Sequence, residues 1–317
     1  MPQKIVYTQF GGPEVLELVD IPTPTPKPGT LLVRVEATGV NPIDVKLRAV
    51  MRTSAPITTP RGVGRDGAGV VLATSDDVEG FRVGDAIAFH DTAGTYASEV
   101  LVKAINAVPR PPQVSAAAAA GIGIPAGTAY QSLRSLAVGA GDTLLIHAGS
   151  GAVGQLAIQY AVLWGATVIA TASPRRFERI RELGATPVAY GPGLVDRVRE
   201  AAPQGVTVAL DAAGTDEALE SSIELVEDRS RIATIVRGAD AAGLGIQAYS
   251  GGSPEPMTAQ QLAWRAEALP VTVALLATGT FSIELGPTFS LADAADAHRA
   301  ISDGVDGKIT IITGGIA

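Results

Sequence analysis

The sequence contains no cysteine, and its 317 residues include only three histidines. Without cysteine the chain can form no disulfide, iron–sulfur cluster or thiolate zinc site. The three histidines, His90, His147 and His298, are scattered along the chain. The composition therefore excludes metal centres that depend on thiolates, and no metal site is predicted.

Basic runs and long apolar runs are also scarce. The formal net charge is −8, and nucleic-acid binding needs a basic face that this chain lacks. The most apolar stretches are 114–130, which Gly and Pro interrupt, and 269–279, which is too short to span a membrane. The first residues lack the apolar core of a signal peptide. We expect a cytoplasmic protein that binds neither nucleic acid nor membrane.

What the chain does contain is typical of a globular protein with two domains. Hydrophobic residues make up 46% and charged residues 18%. Residues 1–110 consist mainly of short strand-like runs separated by Gly, Pro and Asp. The last 60 residues suggest a helix at 257–269, a strand at 281–285, a helix at 291–302 and a strand at 308–313.

Strand-like and helical runs alternate in the middle of the chain. Continuous apolar strands with helices between them are typical of a parallel sheet that is covered on both faces. The predicted strands are 143–148, 167–172, 186–190, 206–212 and 231–236.

Gly149, Gly151 and Gly154 have the spacing of a dinucleotide-binding turn. A predicted strand ends directly before them, and apolar residues then recur at helical spacing until Gly165, which can end the helix. In such a unit the glycines let the backbone approach a pyrophosphate, whose charge faces the helix N-terminus. The residues predicted to bind the cofactor here are Gly149, Ser150, Gly151, Ala152, Val153 and Gly154.

A second glycine triplet, Gly62, Gly64 and Gly67, has the same spacing but a different context. Because the chain has 36 glycines, the spacing alone proves little. Prolines interrupt the segment before Gly62, and a strand-like run follows Gly67. No helix N-terminus is available there to bind phosphate, so a turn is predicted.

The end of the second predicted strand of the sheet indicates which dinucleotide is bound. NAD-binding sites usually place Asp or Glu about 20 residues after the turn, but Ser173 stands there, followed by Arg175 and Arg176. A carboxylate would repel a 2′-phosphate, whereas Ser and Arg can bind it. The sequence therefore favours NADPH over NADH. The alternative is that both arginines only begin a solvated helix.

Several segments in order along nearly the whole chain carry a family resemblance. They include "GVNPIDVK" (39–46), "GRDGAGVV" (64–71), "GTAYQSL" (127–133), "HAGSGAVG" (147–154), "LDAAG" (210–214) and "AHRAISDGVDGKI" (297–309). Together they resemble the zinc-independent, zeta-crystallin-like quinone oxidoreductases of the medium-chain dehydrogenase/reductase superfamily.

The resemblance implies an α/β protein in which a doubly wound parallel sheet (Rossmann) domain is inserted into a GroES-like β-rich catalytic domain. We expect the catalytic domain to comprise residues 1–118 and 257–317, and the dinucleotide-binding domain residues 119–256. The resemblance also implies a homodimer joined through the edge of the nucleotide-domain sheet at 244–250.

The same resemblance bears on zinc and on catalysis. Zinc alcohol dehydrogenases have a ligand Cys where this chain has Asn41 and a ligand His where it has Arg65. Hydride transfer from NADPH to an electrophilic quinone or α,β-unsaturated carbonyl compound remains feasible without zinc. Asn41 is expected to orient the acceptor carbonyl, and Lys46 to contact substrate or cofactor. Two structural readings stay open, a hydrogen-bonding role for Asp44 and a solvated strand-end position for Lys46.

The resemblance implies further cofactor contacts and two structural histidines. Tyr190 is expected near the 2′-phosphate, and His147 and His298 are expected to be structural. The residues expected to flank the nicotinamide are Thr128, Val236, Arg237 and Gly238.

Two other functions fit the glycine turn. One is an enoyl-thioester reductase, in which Arg48 and Arg52 would bind the phosphates of coenzyme A or a carrier; the alternative is that both arginines are surface residues. The other is a non-catalytic NADPH-binding, crystallin-like or redox-sensing protein. The Gly-rich region 239–256 is expected to be mobile and to shape the pocket.

Overall fold

The structure is a computed structural model of the chain and describes residues 1–51, 55–249, 253 and 255–313. It divides into two compact units, which we call the β-rich unit (Met1–Ile124 and Leu269–Ala317) and the parallel-sheet unit (Pro125–Ala268). The domain boundaries given above stay a prediction. None of the helices in the described residues is both long and apolar enough to cross a membrane.

The described strands are β1 (Gln3–Tyr7), β2 (Glu17–Asp20), β3 (Thr30–Gly39), β4 (Arg61–Gly62), β5 (Gly67–Thr74), β6 (Ala86–Phe89), β7 (Glu99–Lys103), β8 (Ala107–Pro109), β9 (Thr143–His147), β10 (Thr167–Ala172), β11 (Thr186–Ala189), β12 (Val208–Asp211), β13 (Ile232–Thr234), β14 (Gln247–Ala248), β15 (Leu285–Ser290) and β16 (Lys308–Ile312). The described helices are α1 (Pro42–Arg48), α2 (Ala116–Ala120), α3 (Gly123–Ser135), α4 (Ala152–Leu163), α5 (Phe177–Glu182), α6 (Leu194–Ala201), α7 (Asp216–Leu225), α8 (Gly238–Leu244), α9 (Ala259–Ala277) and α10 (Ala294–Ser302).

The β-rich unit is organised around the long strand β3. Its main sheet has the order β15-β16-β3-β5-β6-β8, and β7 also pairs with β3. Strand β16 lies antiparallel to β3, with Thr310 opposite Gly39. The end of the chain thus completes a sheet that the beginning of the chain started. The second glycine triplet lies in this unit, where Gly62 ends β4 and Gly67 begins β5.

The parallel-sheet unit has the strand order β11-β10-β9-β12-β13-β14, with every pair parallel. This is the order of a doubly wound dinucleotide-binding fold, and the direction of winding reverses between β9 and β12. Strand β9 is buried along its whole length because helices cover both faces of such a sheet. The predicted fold class is confirmed. Strand β14, within the segment predicted to lie at the edge, is the edge strand of this sheet.

Two elements differ from the sequence prediction. The strand predicted at 281–285 lies instead at Leu285–Ser290. This segment contains Gly286 and Pro287, which usually interrupt strands, but β15 is an edge strand and an edge tolerates proline. The region 239–256 contains most of α8 and all of β14, and its mobility stays a prediction. Residues 250–252 and 254 of that region lie outside the described residues.

Helix α1 is the second element that differs, because the segment was expected to be strand-like. Pro42 occupies its first turn, and the Asp44 carboxylate accepts a hydrogen bond of 2.9 Å from the Asn41 N–H. A proline in the first turn and an acidic residue at the third position are both favourable helix-start signals. Lys46 is therefore a helical residue and not a strand-end lysine.

Candidate functional site

The turn between β9 and α4 is held in a strained and specific shape. Ala148 has a φ of +57°, which is uncommon for a residue with a side chain. The Gly149 N–H donates to the Thr171 carbonyl at 2.9 Å, and the Gly151 N–H donates to the Ala148 carbonyl at 3.1 Å. Backbone strain of this kind is typical of functional turns.

The three glycines of this turn have different surroundings. A Cβ on Gly149 would lie 2.6 Å from the Ala170 Cβ, and one on Gly154 would lie 2.4 Å from the Ala148 carbonyl oxygen. These two glycines are required for strand and helix to pack. A Cβ on Gly151 would contact only the Ala148 oxygen, at 3.4 Å. The space beside Gly151, at the N-terminus of α4, is therefore open, as a pyrophosphate-binding turn of this kind requires.

The remaining residues of the turn, Ser150, Ala152 and Val153, are partly exposed. Gln155 fixes the turn from within α4, because its Nε2 donates to the Ser150 carbonyl at 2.9 Å. The Arg179 Nε in turn donates to Gln155 Oε1 at 2.9 Å. Sequence reasoning missed Gln155 and Arg179, since nothing in the glycine pattern indicates a helix-to-helix contact.

The residues predicted to select NADPH lie at one edge of the sheet. Ser173 directly follows β10, and Tyr190 directly follows the adjacent strand β11. The Tyr190 side chain is 60% exposed. Arg175 is exposed and Arg176 is partly buried, and both belong to a short 3₁₀ turn. No acidic residue occupies the position at which NAD-binding folds usually carry one.

A single buried carboxylate organises the loops after β12 and β13. One oxygen of Asp211 accepts from the N–H groups of residues 213 and 214, at 2.9 and 2.8 Å. Its other oxygen accepts from the Thr234 hydroxyl at 2.7 Å. The Thr234 Oγ1 accepts in turn from the N–H groups of Val236 and Arg237, at 3.1 and 3.0 Å. Asp211 and Thr234 thus fix the predicted nicotinamide loop.

The other predicted nicotinamide residues have the following positions. Arg237 forms ion pairs with Asp216 at 2.9 Å and Asp240 at 2.5 Å. The hydrogen bond that Arg237 donates to Asp216, followed by the one it donates to Asp240, raises the pKa of Arg237. Gly238 is buried at the start of α8, and Thr128 is 6% exposed within α3.

His147 ends β9 and is a structural residue. The Ser222 hydroxyl donates to the Ala218 carbonyl at 2.7 Å, so it accepts from His147 Nε2 at 3.1 Å. Burial lowers the pKa of His147 to about 4. The imidazole is therefore neutral near pH 7, with its proton on Nε2.

Asn41 lies in the β-rich unit, with 1% of its surface exposed. Its Nδ2 donates to Asp66 Oδ1 at 2.9 Å, and its Oδ1 accepts from the Lys308 ammonium at 2.6 Å. Lys308 also donates to the Val40 carbonyl at 2.6 Å, and the second Asp66 oxygen accepts from the Ile124 N–H at 2.8 Å. We call Asn41, Asp66 and Lys308 the Asn41 cluster. Both ends of the Asn41 amide are engaged within it.

Burial shifts the ionisable groups around this cluster. It raises the pKa of Asp44 to about 7, an effect that the charge of Asp66 strengthens. Burial also raises the pKa of Asp66, which Lys308 opposes. The pKa of Lys308 is lowered by burial, against the attraction of Asp66 and Asp44. Charged groups are costly inside a protein unless they are paired, which explains the dense hydrogen bonding.

A buried chain of hydrogen bonds continues from Asp44 toward α10. Tyr96 Oη donates to Asp44 Oδ2 at 3.5 Å and accepts from His298 Nε2 at 3.3 Å. Arg48 Nε donates to His298 Nδ1 at 3.2 Å. Burial, followed by the charge of Arg48, lowers the pKa of His298 to about 3. His298 therefore has a polar structural role beyond simple packing.

Arg48 is not a surface anchor for a thioester phosphate. It is 3% exposed, and besides His298 it donates to the Gly11 carbonyl. Its guanidinium is engaged inside the fold, which corrects the position expected from the sequence. Arg52, the second arginine of that hypothesis, lies outside the described residues.

Lys46 differs from the buried lysine of the cluster. It is partly exposed on α1. Within the described part of the chain, its ammonium has no hydrogen-bond or ion-pair partner. Arg65, at the position of a zinc ligand in related dehydrogenases, pairs with Asp91 at 3.4 Å. Residues 1–51, 55–249, 253 and 255–313 contain no group of three or more His, Asp or Glu that could hold a metal ion.

Two family models match the chain. The alcohol dehydrogenase GroES-like domain matches residues 27–129, and the zinc-binding dehydrogenase model matches residues 152–246. These ranges fall mainly in the β-rich and the parallel-sheet unit, respectively.

Individual proteins are also similar. A chloroplastic quinone-oxidoreductase homolog of Spinacia oleracea is 38% identical over 195 residues, a match that spans 58% of this chain and 59% of that protein. The quinone oxidoreductase of Sus scrofa is 30% identical over 327 residues, covering 96% of this chain and 95% of that protein. A mycobacterial protein solved in complex with NADPH has a TM-score of 0.82 at 27% identity, covering 99% of this chain and 100% of that one.

Proposed function

The chain belongs to the quinone oxidoreductase family of the medium-chain dehydrogenase/reductase superfamily, and we propose that it is an NADPH-dependent oxidoreductase that reduces a quinone or an α,β-unsaturated carbonyl compound without zinc. The observation that carries the proposal is the open space at Gly151, beside a turn whose other two glycines are closed in by protein. The names of its relatives and the NADPH complex of the mycobacterial protein support it.

The parallel-sheet unit supplies the groups that would hold the cofactor. The N–H groups of the turn 149–154 bind the pyrophosphate, since they lie at a helix N-terminus. Ser173, Arg175 and Arg176 bind the 2′-phosphate, with Tyr190 beside them. The loop 236–238 and Thr128 flank the nicotinamide end of the cofactor. When bound, NADPH supplies a hydride to the acceptor.

The acceptor needs a hydrogen-bond donor for the oxygen that gains negative charge. We assign this role to Lys46, because its ammonium has no partner among the described residues. Asn41 Nδ2 donates to Asp66 Oδ1 at 2.9 Å and to the Gly39 carbonyl at 3.4 Å, so Asn41 would have to give up an internal bond before it could donate to a carbonyl of the acceptor. An already electrophilic quinone or enone needs no Lewis acid, which fits the replacement of both zinc-ligand positions by Asn41 and Arg65.

A homodimer and a cytoplasmic location complete the proposal. Support for the dimer comes from β14, a two-residue edge strand whose outer side pairs with no other described strand. Exposed strand edges are ready templates for pairing with another chain.

The test is NADPH oxidation by the purified protein with a small quinone, a small enone and an enoyl-coenzyme A thioester in parallel. NADH and a chelator-treated sample serve as controls. We expect turnover with quinone or enone, preference for NADPH, and no loss on chelation. Turnover with the thioester alone, or tight NADPH binding without any turnover, would contradict the proposal.

The cofactor assignment has its own test. The double variant Arg175→Ala/Arg176→Ala removes both candidate phosphate ligands. We expect its preference for NADPH over NADH to fall by about tenfold or more, which corresponds to about 1.4 kcal/mol. Arg199→Ala is the matched control, since Arg199 is exposed on α6 and pairs with Glu224. An unchanged preference in the double variant would assign both arginines to the solvated helix start.

A further inference from the structure

We propose that Lys308 is a positioning residue of the acceptor site: its ammonium fixes the Asn41 amide and, through it, the start of the helix that carries Lys46. The inference rests on the proposed function, because it concerns how the donor of that reaction is held in place.

The position of Lys308 determines the orientation of the Asn41 amide. Lys308 is the first residue of β16 and is 5% exposed. Its Nζ lies 2.6 Å from both the Val40 carbonyl oxygen and Asn41 Oδ1. An ammonium has only donors, so the Asn41 atom that faces it must be the oxygen. Lys308 therefore decides which way the Asn41 amide points.

A carboxylate lies on the other side of the Asn41 amide. Asn41 Nδ2 donates to Asp66 Oδ1 at 2.9 Å, and Asp66 Oδ2 is fixed by the Ile124 N–H at 2.8 Å. A buried ammonium and a buried carboxylate thus enclose one neutral amide. Hydrogen bonds to charged partners are stronger than neutral ones, so the amide is held in one orientation.

The Asn41 backbone connects the amide to α1. Asn41 is the residue that precedes this helix, and its N–H donates to Asp44 Oδ2 at 2.9 Å. The far end of α1 is held by the bond from Arg48 to His298. Lys46 lies between these two anchors and is partly exposed. The position of its ammonium therefore depends on both, and Lys308 controls the first.

The test compares Lys308→Met, Lys308→Arg, Asn41→Ala and the double variant Asn41→Ala/Lys308→Met. Lys103→Met, at an exposed lysine of β7, is the matched control. We expect Lys308→Met to lower kcat for the acceptor by about tenfold or more, and Lys308→Arg to restore part of it. The dissociation constant of NADPH should stay within about twofold, because the residues assigned to the cofactor lie in the other unit. The loss of kcat in the double variant should be no larger than the larger of the two single losses, since both changes remove the same interaction.

Hydrogen–deuterium exchange supplies a readout that needs no turnover. In Lys308→Met we expect faster exchange in residues 39–48 and unchanged exchange in residues 143–163. If Lys308→Met does not fold, the double variant Asp66→Asn/Lys308→Met is used instead, because it removes both charges and so leaves no unpaired buried charge. It is compared with Asp66→Asn alone.

Two results would overturn the inference: wild-type kcat in a folded Lys308→Met protein, or losses in Asn41→Ala and Lys308→Met that multiply in the double variant. A wild-type protein that turns over no acceptor would overturn the proposed function instead. Hydrogen exchange in residues 39–48 would then still decide whether Lys308 anchors α1.

Discussion

The parallel-sheet unit and the β-rich unit hold their candidate functional residues in opposite ways. In the parallel-sheet unit these residues follow the ends of adjacent strands, and many are exposed or half-exposed, such as Ser173 and Tyr190. In the β-rich unit the polar residues Asn41, Asp66 and Lys308 are at most 5% exposed and bond to one another. Open backbone groups suit binding of a ligand, whereas saturated buried groups suit the positioning of other residues.

This difference also affects how strongly substitutions in each unit change the stability of the protein. A buried ion pair contributes little net stability compared with apolar residues, but removal of one partner is strongly destabilising. An open phosphate-binding turn can be changed with less effect on folding, provided that no new atom overlaps the backbone. The two units should therefore respond differently to substitution.

The largest effect is expected from Asp66→Ala. It removes the acceptor of the Asn41 Nδ2 and Ile124 N–H groups, and it removes the negative charge that attracts the buried Lys308 ammonium across the Asn41 amide. The free energy of unfolding should fall by about 3–5 kcal/mol, as measured by urea unfolding with far-UV circular dichroism. Asp76→Ala, at an exposed aspartate, is the control. A loss as small as that of the control would mean that the Asp66 carboxylate does not stabilise the cluster.

The glycine turn allows a comparison within one motif. Gly154→Ala should destabilise the protein by about 1–3 kcal/mol because its Cβ would overlap backbone atoms. Gly151→Ala should fold normally yet weaken NADPH binding by about tenfold or more, that is by about 1.4 kcal/mol or more. Calorimetric titration and thermal unfolding measure both, with Gly139→Ala as a control in open space. Equal effects of the two changes on stability would contradict the open space at Gly151.

Acidification should weaken the parallel-sheet unit through His147. Its pKa is about 4 in the folded chain against an ordinary value of 6.5, so the unfolded chain binds the proton first as pH falls. Stability is lost between about pH 6.5 and 4, on the order of 2 kcal/mol at pH 5. Urea unfolding followed by tryptophan fluorescence reports this unit, since Trp164 and Trp264 both lie in it. His147→Gln should show a shallower loss, and an identical slope would contradict the prediction.

The β-rich unit should respond less steeply, because two groups there oppose each other. His298 has a pKa of about 3, so its contribution to the stability of the protein falls as pH drops below 6.5, in the same way as that of His147. Asp44 has a pKa raised from 3.8 to about 7, so its contribution is largest below pH 3.8 and is lost as pH rises through 7. Acidification from pH 7.5 to 5 therefore gains from Asp44 about as much stability as it loses from His298.

The last comparison concerns Thr234→Val in the parallel-sheet unit. It removes the hydroxyl that connects Asp211 to the N–H groups of Val236 and Arg237. Stability should fall by about 1–3 kcal/mol, the range for leaving buried polar groups unpaired, and NADPH should bind more weakly. Thr167→Val, at an exposed threonine of β10, is the control. Unchanged NADPH affinity would separate this loop from the cofactor.

Parts of the fold followed directly from local sequence. Strand β10 occupies the predicted residues 167–172, and the predicted turn between β9 and α4 is present. These features depend on short-range causes, namely β-branched runs, glycine spacing and the periodicity of the following helix. Strand β15 was misplaced because Gly286 and Pro287 look like strand breakers, and only its edge position makes them acceptable.

The sequence by itself determined the parallel sheet, the glycine turn and the presence of Ser173 in place of an acidic residue, because each depends on residues that are close together in the chain. Only the tertiary structure decided that Asn41 meets Asp66 and Lys308, since Lys308 is 267 positions further along the chain. Strand β16 brings Lys308 there by pairing with β3, the strand that ends just before Asn41. Contacts over such distances depend on sheet register and burial, which no local pattern encodes.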